Sequence, residues 1–138
     1  MRVVLDTNVL AAGLLSAAGP PGWIVEAALA GELEPVFDMA IRQEHEEVLR
    51  RPEFRFPSAQ VDDLLAALDQ FAFHVAAPSP WPVALPDPDD APFLAVASET
   101  GSALVTGNLR HFPVASRQGV SVLTPREFVD RIKAGKPG

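Results

Sequence analysis

Short apolar runs alternate along the chain with longer segments in which apolar residues recur at helical spacing. Residues 3–5 and 103–105 are continuous apolar runs, typical of strands covered on both faces, and they predict strands over residues 2–5 and 103–105. Residues 33–37, 73–75 and 120–122 are further candidate strands. The segments between them predict helices over residues 9–16, 23–30, 39–51, 59–71 and 90–98, and a last helix that begins at residue 125. This alternation predicts an α/β layered fold with a mainly parallel sheet.

Capping residues and chain breakers set the expected helix boundaries. The Gly19-Pro20-Pro21-Gly22 sequence is expected to break the chain before the second helix, and five prolines within residues 76–88 predict an ordered loop. Gly101 should end the fifth helix, Thr124-Pro125 should open the last one, and residues 136–138 should be frayed. The expected N-caps of the third, fourth and fifth helices are Asp38, Ser58 and Asp89.

Length and composition narrow the class of protein. A chain of 138 residues suits one compact domain spanning residues 1–138. The absence of cysteine excludes disulfides, thiolate zinc sites and cysteine nucleophiles. The N-terminus is too short and too acidic for a signal peptide, and no apolar run approaches the ~20 residues needed to cross a bilayer. We therefore expect a soluble, cytoplasmic protein.

The formal net charge of −7 argues against a protein that binds nucleic acid by charge alone. The basic residues are nevertheless clustered in two stretches. A surface that binds nucleic acid and a set of solvated helix faces and termini explain these stretches equally well. The first stretch contains Arg42, Arg50, Arg51 and Arg55, and the second contains Arg126, Arg131, Lys133 and Lys136.

Four polar residues fall where a parallel sheet would bind a ligand, at the carboxyl ends of its strands. They are Asp6 directly after the first strand, Asn108 shortly after residues 103–105, Asp90 at the start of the helix that precedes that strand, and Glu44 within the third helix. Each acid alone is explained by helix capping or by a solvated helix face. If they converge, oxygen ligands of this kind suit Mg²⁺ or Mn²⁺ and phosphoryl chemistry.

Other catalytic arrangements find little support in the sequence. The chain contains neither a Gly-x-Ser-x-Gly motif nor a phosphate-binding P-loop. His45, His74 and His111 do not have the spacing of zinc ligands. His74, between two apolar residues, is interpreted as structural, whereas His111 lies in a promising loop without an assigned role.

Four segments in this order, VVLDTNVLAAGLLS, RQEHEEVLRRPEF, DPDDAPFLAVA and LVTGNLRHFP, resemble the PIN-domain family. The resemblance runs from Arg2 to about Phe128 and is greatest to the VapC-like toxins of type II toxin–antitoxin systems. It implies a three-layer α/β/α sandwich and a ribonuclease that depends on Mg²⁺ or Mn²⁺. It also implies a homodimer, and an antitoxin that inserts a peptide into the active cleft.

The resemblance also implies roles for individual residues. The three metal-binding and catalytic acids match Asp6, Glu44 and Asp90, whereas Thr7 and Asn8 match the neighbours that support the first acid. Thr106 matches the threonine of the family's Thr-Gly-Asp motif, but Asn108 stands where many members carry a fourth acid. An asparagine offers a neutral oxygen and no negative charge, so a second metal ion would be held more weakly, unless Asp87 or Asp89 compensates.

The mechanism implied by the resemblance is hydrolysis of single-stranded or structured RNA by a metal-activated water. Asn108 and Thr106 are expected to orient ligands or water, and Arg42, Arg110 or His111 to contact flanking phosphates. One alternative is a catalytically weak PIN-like domain that binds RNA or a protein without cutting. Another is a receiver-like signalling domain, which would need an acid pair beside the first strand where the sequence supplies one acid, Asp6.

Overall fold

Strands and helices alternate along the chain in the computed structural model, which describes residues 1–76 and 78–135. The strands in these residues are β1 (Arg2–Leu5), β2 (Glu34–Phe37), β3 (Phe73–His74), β4 (Ala103–Val105) and β5 (Val122–Leu123). The helices are α1 (Thr7–Leu15), α2 (Pro20–Leu29), α3 (Met39–Leu49), α4 (Ser58–Phe71), α5 (Ala91–Thr100) and α6 (Pro125–Lys133). The predicted frayed end, residues 136–138, and residue 77 of the predicted loop lie outside the described residues.

The five strands form one parallel sheet with the order β3-β2-β1-β4-β5. Val3 pairs with Pro35 of β2 on one side and with Ala103 of β4 on the other. The chain therefore leaves β1 in one direction through β2 and β3, and returns to its other side through β4 and β5. This reversal creates a crevice at the carboxyl ends of β1 and β4, which is where open parallel sheets bind ligands.

Helices cover the sheet on both faces. Val3, Val4 and Leu5 are each at most 2% exposed, although successive strand residues point to opposite faces. Helix α5 packs against β1, β2 and β4, whereas α4 packs against β2 and α6 against β5. Helix α2 contacts both α4 and α6, and α3 contacts α5. The predicted mixed α/β layered fold with a parallel sheet is confirmed.

Four predicted helix starts were wrong, and in three of them a proline or a preceding turn changes the boundary. Helix α1 begins at Thr7 instead of residue 9, directly after the N-cap residue Asp6. Helix α2 begins at Pro20 instead of residue 23, since proline is well tolerated in the first turn of a helix. Ser58 is the first residue of α4, with Pro57 at the N-cap. Asp89 does not cap α5, because residues Pro88–Asp90 form a 3₁₀ turn before it.

Other boundaries agree more closely with the sequence. Asp38 caps α3 by accepting a hydrogen bond from the Ile41 backbone N–H at 2.9 Å. Thr124 and Glu127 form a capping box at the start of α6. Gly101 ends α5 with a φ of 65°, as expected for a helix C-cap. The last strand lies at Val122–Leu123, later than the predicted residues 120–122.

None of the individual helices within the described residues is long and apolar enough to span a membrane, and the bent pair α1–α2 passes that test by length and composition alone.

Candidate active site

Asp6 lies in the crevice between the ends of β1 and β4. Its backbone N–H donates to Val105 O at 2.9 Å, which continues the pairing of the two strands by one residue. Thr106 follows β4 and donates its hydroxyl hydrogen to Asp6 Oδ2 at 2.9 Å. The Asp6 side chain makes no capping hydrogen bond to α1, although the residue occupies the N-cap position. The carboxylate is therefore held across the crevice by Thr106, while the backbone N–H groups of Thr7 and Asn8 also lower its pKa.

The loop after β4 is tied to the start of α1 by a short set of hydrogen bonds. The Gly107 backbone N–H donates to Asn8 Oδ1 at 3.2 Å, and the Asn108 backbone N–H donates to Thr106 Oγ1 at 3.0 Å. Thr106 thus accepts from the loop and donates to Asp6. These bonds place the half-buried Asn108 beside the crevice, two residues after Thr106.

Glu44 approaches the crevice from α3. The core side of this helix is formed by Ile41, His45 and Leu49, at a spacing of four residues, and Glu44 is half-buried at the edge of that face. Thr7 Oγ1 donates to Glu44 Oε2 at 3.3 Å, which connects the helix to the start of α1. A cavity of about 250 Å³ next to Glu44 is lined in part by Asp89.

Asp90 enters from the turn before α5. Asp87 caps this turn by accepting from the Asp89 backbone N–H at 3.0 Å, so Asp90 is not needed as a cap and has no side-chain capping hydrogen bond. Its Oδ2 lies 3.0 Å from His111 Nδ1, in the loop after β4. The Asp90 side chain is 12% exposed.

Asp6, Glu44 and Asp90, called the acid cluster below, all have raised pKa values. Burial is the main cause of the raised pKa of Asp6, and the hydrogen bond from Thr106 opposes it. Burial likewise raises the pKa of Glu44, followed by repulsion from Asp6 and Asp90. The pKa of Asp90 rises to about 6 through burial and then the charges of Asp6 and Asp87. Negative charge therefore accumulates in the crevice, where His111 lowers the pKa values of Asp6 and Asp90 by less than burial raises them.

The family is shown by a comparison with protein-family models, in which the PIN-domain model matches residues 2–110. The chain belongs to the PIN-domain family. A comparison with curated proteins finds no match. PIN domains are generally nucleases and typically use divalent metal ions. The matched residues include every member of the acid cluster, Thr106 and Asn108.

The donor set of this PIN domain fits a hard divalent cation. In the described part of the chain, no three Asp, Glu or His side chains converge closely enough to enclose a metal ion by themselves. Mg²⁺, however, is usually bound through one or two carboxylates while water completes its coordination. Three carboxylates with raised pKa values are also the arrangement that a dication would relieve.

The arginine-rich part of the PIN domain forms ion pairs with acids of α3 and of α4. Arg42, an expected phosphate contact, makes two hydrogen bonds to Asp69 of α4 at 2.8 and 2.9 Å and one to Glu46 at 3.0 Å. Arg50 pairs with Glu46 and with Asp62 of α4. These contacts favour the interpretation of the first basic stretch, residues 42–55, as a solvated helix face rather than a phosphate-binding surface. Of the other two expected contacts, His111 touches Asp90 and Arg110 is exposed in the loop after β4.

Sequence reasoning did not find a role for His45. Its ring is 2% exposed, and Nδ1 lies 2.7 Å from Thr7 Oγ1, the same hydroxyl that contacts Glu44. Burial lowers the pKa of His45 to about 3, so the ring is neutral at neutral pH. The signal in the sequence was its position between Ile41 and Leu49, which places it on the buried face of α3. His74, by contrast, is exposed on the edge strand β3.

Proposed function

We propose that this PIN domain is a Mg²⁺- or Mn²⁺-dependent endoribonuclease that cleaves single-stranded or structured RNA. The observation that carries the proposal is the convergence of Asp6, Glu44 and Asp90 from three different elements on the crevice between β1 and β4. Repulsion from Asp6 raises the pKa values of Glu44 and Asp90, which supports one shared electrostatic environment for the three carboxylates. An acidic crevice of this kind accepts a phosphodiester only when a cation is present.

The acid cluster would hold the divalent ion, in part through water. When bound, the ion would supply Lewis acidity towards a phosphate oxygen and towards the attacking water. The chain's own polar residues keep the ligands in place: Thr106 holds Asp6, Thr7 holds Glu44, and His111 holds Asp90. Asn108 would contribute a neutral oxygen near the reacting phosphate or its water.

The test is cleavage of a labelled, mixed-sequence RNA by the wild type and by Asp6→Asn, each with Mg²⁺, with Mn²⁺ and with EDTA. We expect metal-dependent cutting by the wild type and a loss of more than about 100-fold in the variant, since a ligand of the ion is weakened. A DNA strand of the same sequence tests the preference for RNA. Asp63→Asn, which alters an exposed carboxylate on α4, is the matched control and should cut normally. Equal cutting by Asp6→Asn and the wild type would reject this assignment.

A second candidate function is binding of RNA or a protein without cleavage. Asn108 favours it, because this position lacks the charge of the fourth acid and the acid cluster does not enclose an ion by itself within the described residues. A folded wild type that binds RNA but cuts none with either metal would support this function. Cutting gained by Asn108→Asp would then identify the missing acid as the cause.

We also propose that the protein is the toxin of a toxin–antitoxin pair, that an antitoxin protein binds it, and that it forms a homodimer. The support is the resemblance of the four segments to VapC-like toxins. Leu15 is 63% exposed at the end of α1 and Trp23 is half-buried on α2, so both are available to an interface, whereas Ile24 belongs to the core. Growth arrest on expression, relieved by Asp6→Asn, would test the toxin role, and light scattering would test the dimer.

A further inference from the structure

His45 is a buried polar side chain that the proposed chemistry does not use directly. It follows Glu44 in α3, and its ring lies edge-on to Phe37, with ring centroids 6.3 Å apart, and tilted against Phe93 at 6.4 Å. Apolar neighbours of this kind favour a small hydrophobic residue at the position. A histidine that is 2% exposed among them needs a hydrogen-bond partner, and Thr7 Oγ1, 2.7 Å from Nδ1, is that partner.

The Thr7 hydroxyl group has one hydrogen and two polar neighbours. Glu44 Oε2 lies 3.3 Å from Thr7 Oγ1, and His45 Nδ1 lies 2.7 Å from it. An ionised carboxylate only accepts hydrogen bonds, so Thr7 has to donate its hydrogen to Glu44 and accept one from His45. In the reverse arrangement, with Thr7 donating to His45, the hydroxyl lone pairs would face those of the carboxylate at 3.3 Å.

The other ring nitrogen of His45 does not compete with this arrangement. Within residues 1–76 and 78–135, the hydrogen bonds of His45 involve Nδ1 and none involves Nε2. In the same residues no buried side-chain nitrogen or oxygen lacks a partner, so Nε2 is not a sealed atom that would itself dictate the tautomer. The tautomer is therefore decided at Nδ1, where Thr7 accepts the hydrogen.

We propose that His45 is a positioning residue for Glu44: its Nδ1–H donates to Thr7 Oγ1, and Thr7 in turn donates to Glu44 Oε2. This relay directs the single hydrogen of the Thr7 hydroxyl towards Glu44 and holds the Oε2 atom of that carboxylate, so that Oε1 is left for other ligands. The inference deepens the proposed function and rests on it in one respect, namely that Glu44 helps to hold a divalent ion. Partners that orient metal ligands in this way typically change metal affinity about 10- to 100-fold when they are removed.

The first experiment measures the ring tautomer and requires no metal. Long-range ¹H–¹⁵N spectra of the metal-free wild type at neutral pH distinguish a hydrogen on Nδ1 from one on Nε2. The His45 signals are assigned by their loss in His45→Asn. We expect the hydrogen on Nδ1, with the Nε2 nitrogen unprotonated. A hydrogen on Nε2 would overturn the proposal, because Thr7 would then have to donate to the ring instead of to Glu44.

The second experiment measures Mn²⁺ binding by calorimetry in two matched pairs of variants. Thr7→Val removes the hydroxyl at nearly constant volume and Thr7→Ser keeps it, whereas His45→Leu removes the ring donor and His45→Asn keeps an N–H near the position of Nδ1. We expect Thr7→Val and His45→Leu to bind Mn²⁺ about 10- to 100-fold more weakly. Thr7→Ser and His45→Asn should bind closer to the wild type. His74→Asn, on the exposed edge strand, is the control and should not differ.

The outcomes separate this inference from the proposed function. If folded His45→Leu binds Mn²⁺ as tightly as the wild type does, the positioning role is overturned while the metal site stands. Failure of the wild type itself to bind Mn²⁺ would instead reject the metal-dependent function, and the tautomer would still decide the relay. If the His45 variants do not fold, the Thr7 pair and the tautomer decide, because the His45 signals are then assigned as those that persist in both His74→Asn and His111→Asn.

Discussion

Replacing Asp90 with asparagine tests whether the acid cluster destabilises the metal-free protein. The pKa of Asp90 rises from 3.8 to about 6, through burial and then the charges of Asp6 and Asp87. The difference between these two pKa values corresponds to about 3 kcal/mol of lost stability for the ionised carboxylate, at about 1.36 kcal/mol per pKa unit. The side chain opens partly to water in the crevice, and screening there reduces the effect to about 1 kcal/mol. Asp90→Asn should therefore be about 1 kcal/mol more stable than the wild type at pH 7 in EDTA.

The pH dependence of this difference has a defined sign. The pKa of Asp90 is higher in the folded than in the unfolded state, so the folded protein binds more protons between about pH 4 and 6. The stability contributed by the protonated carboxyl group is complete below the unfolded pKa and is lost as the pH rises through about 6. The advantage of asparagine should accordingly be largest at about pH 7 and should shrink towards about pH 4.

A divalent metal ion should make the wild type more stable than Asp90→Asn. At about 10 mM Mg²⁺ and a Kd of about 1 mM, binding to the folded wild type adds about 1.4 kcal/mol, whereas a variant that lacks one ligand gains less. The assay is urea unfolding of both proteins at pH 7, in EDTA and in Mg²⁺. Asp63→Asn again serves as the control for loss of an exposed acid. A wild type that is more stable than Asp90→Asn in EDTA would refute the reasoning, because Asp90 would then be stabilised by its neighbours.

Two further predictions concern the core. Burial lowers the pKa of His45 from its ordinary value of 6.5 to about 3 in the folded protein, so the stability gained from its neutral ring is complete above pH 6.5 and is lost as the pH falls towards 3. The free energy of unfolding of the wild type and of His45→Asn is measured in urea at pH 7 and 5. The difference, wild type minus variant, should fall by about 1.4 kcal/mol per pH unit below about pH 6.5. A difference that does not change with pH would mean that the ring is not held neutral. Gly22→Ala should lower the free energy of unfolding by about 2 kcal/mol and lower the melting temperature, because a Cβ would collide with the Ala17 carbonyl oxygen. Gly107→Ala is the control and should melt nearly as the wild type does, since its Cβ would be no closer than 3.6 Å to Asn8. Equal melting temperatures of the two variants would contradict the packing argument.

The strands were predicted well where burial alone defines them. The apolar runs 3–5 and 103–105 predicted strands over residues 2–5 and 103–105, and β1 and β4 have these bounds and pair with each other in the sheet. The edge strand β5 was shifted, because only two of its residues pair with a neighbour and the apolar pattern continues beyond them. Helix boundaries were hardest near proline, where one residue type either ends a helix or occupies its first turn.

The acids of the candidate site were predicted from position and resemblance, but their hydrogen-bond partners were not. Asp6 was expected near the end of β1, yet its bond from Thr106 joins residues that lie 100 positions apart in the sequence. Arg42 was one of three candidate phosphate contacts, and its pairing with Asp69, 27 residues away, was not predicted. Pairs of this kind depend on how helices pack, and local patterns do not encode that packing.

The sequence by itself determined the class of fold, the family and the residue types available for chemistry. These depend on apolar periodicity, on short motifs and on the absence of cysteine, all of which act over a few neighbouring residues. Only the tertiary structure decided that the acids converge where the sheet order reverses beside β1, and that Thr7 lies between His45 and Glu44. The physical reason is that hydrogen bonds and charge repulsion operate over a few ångströms, and the parallel crossovers bring distant segments within that range.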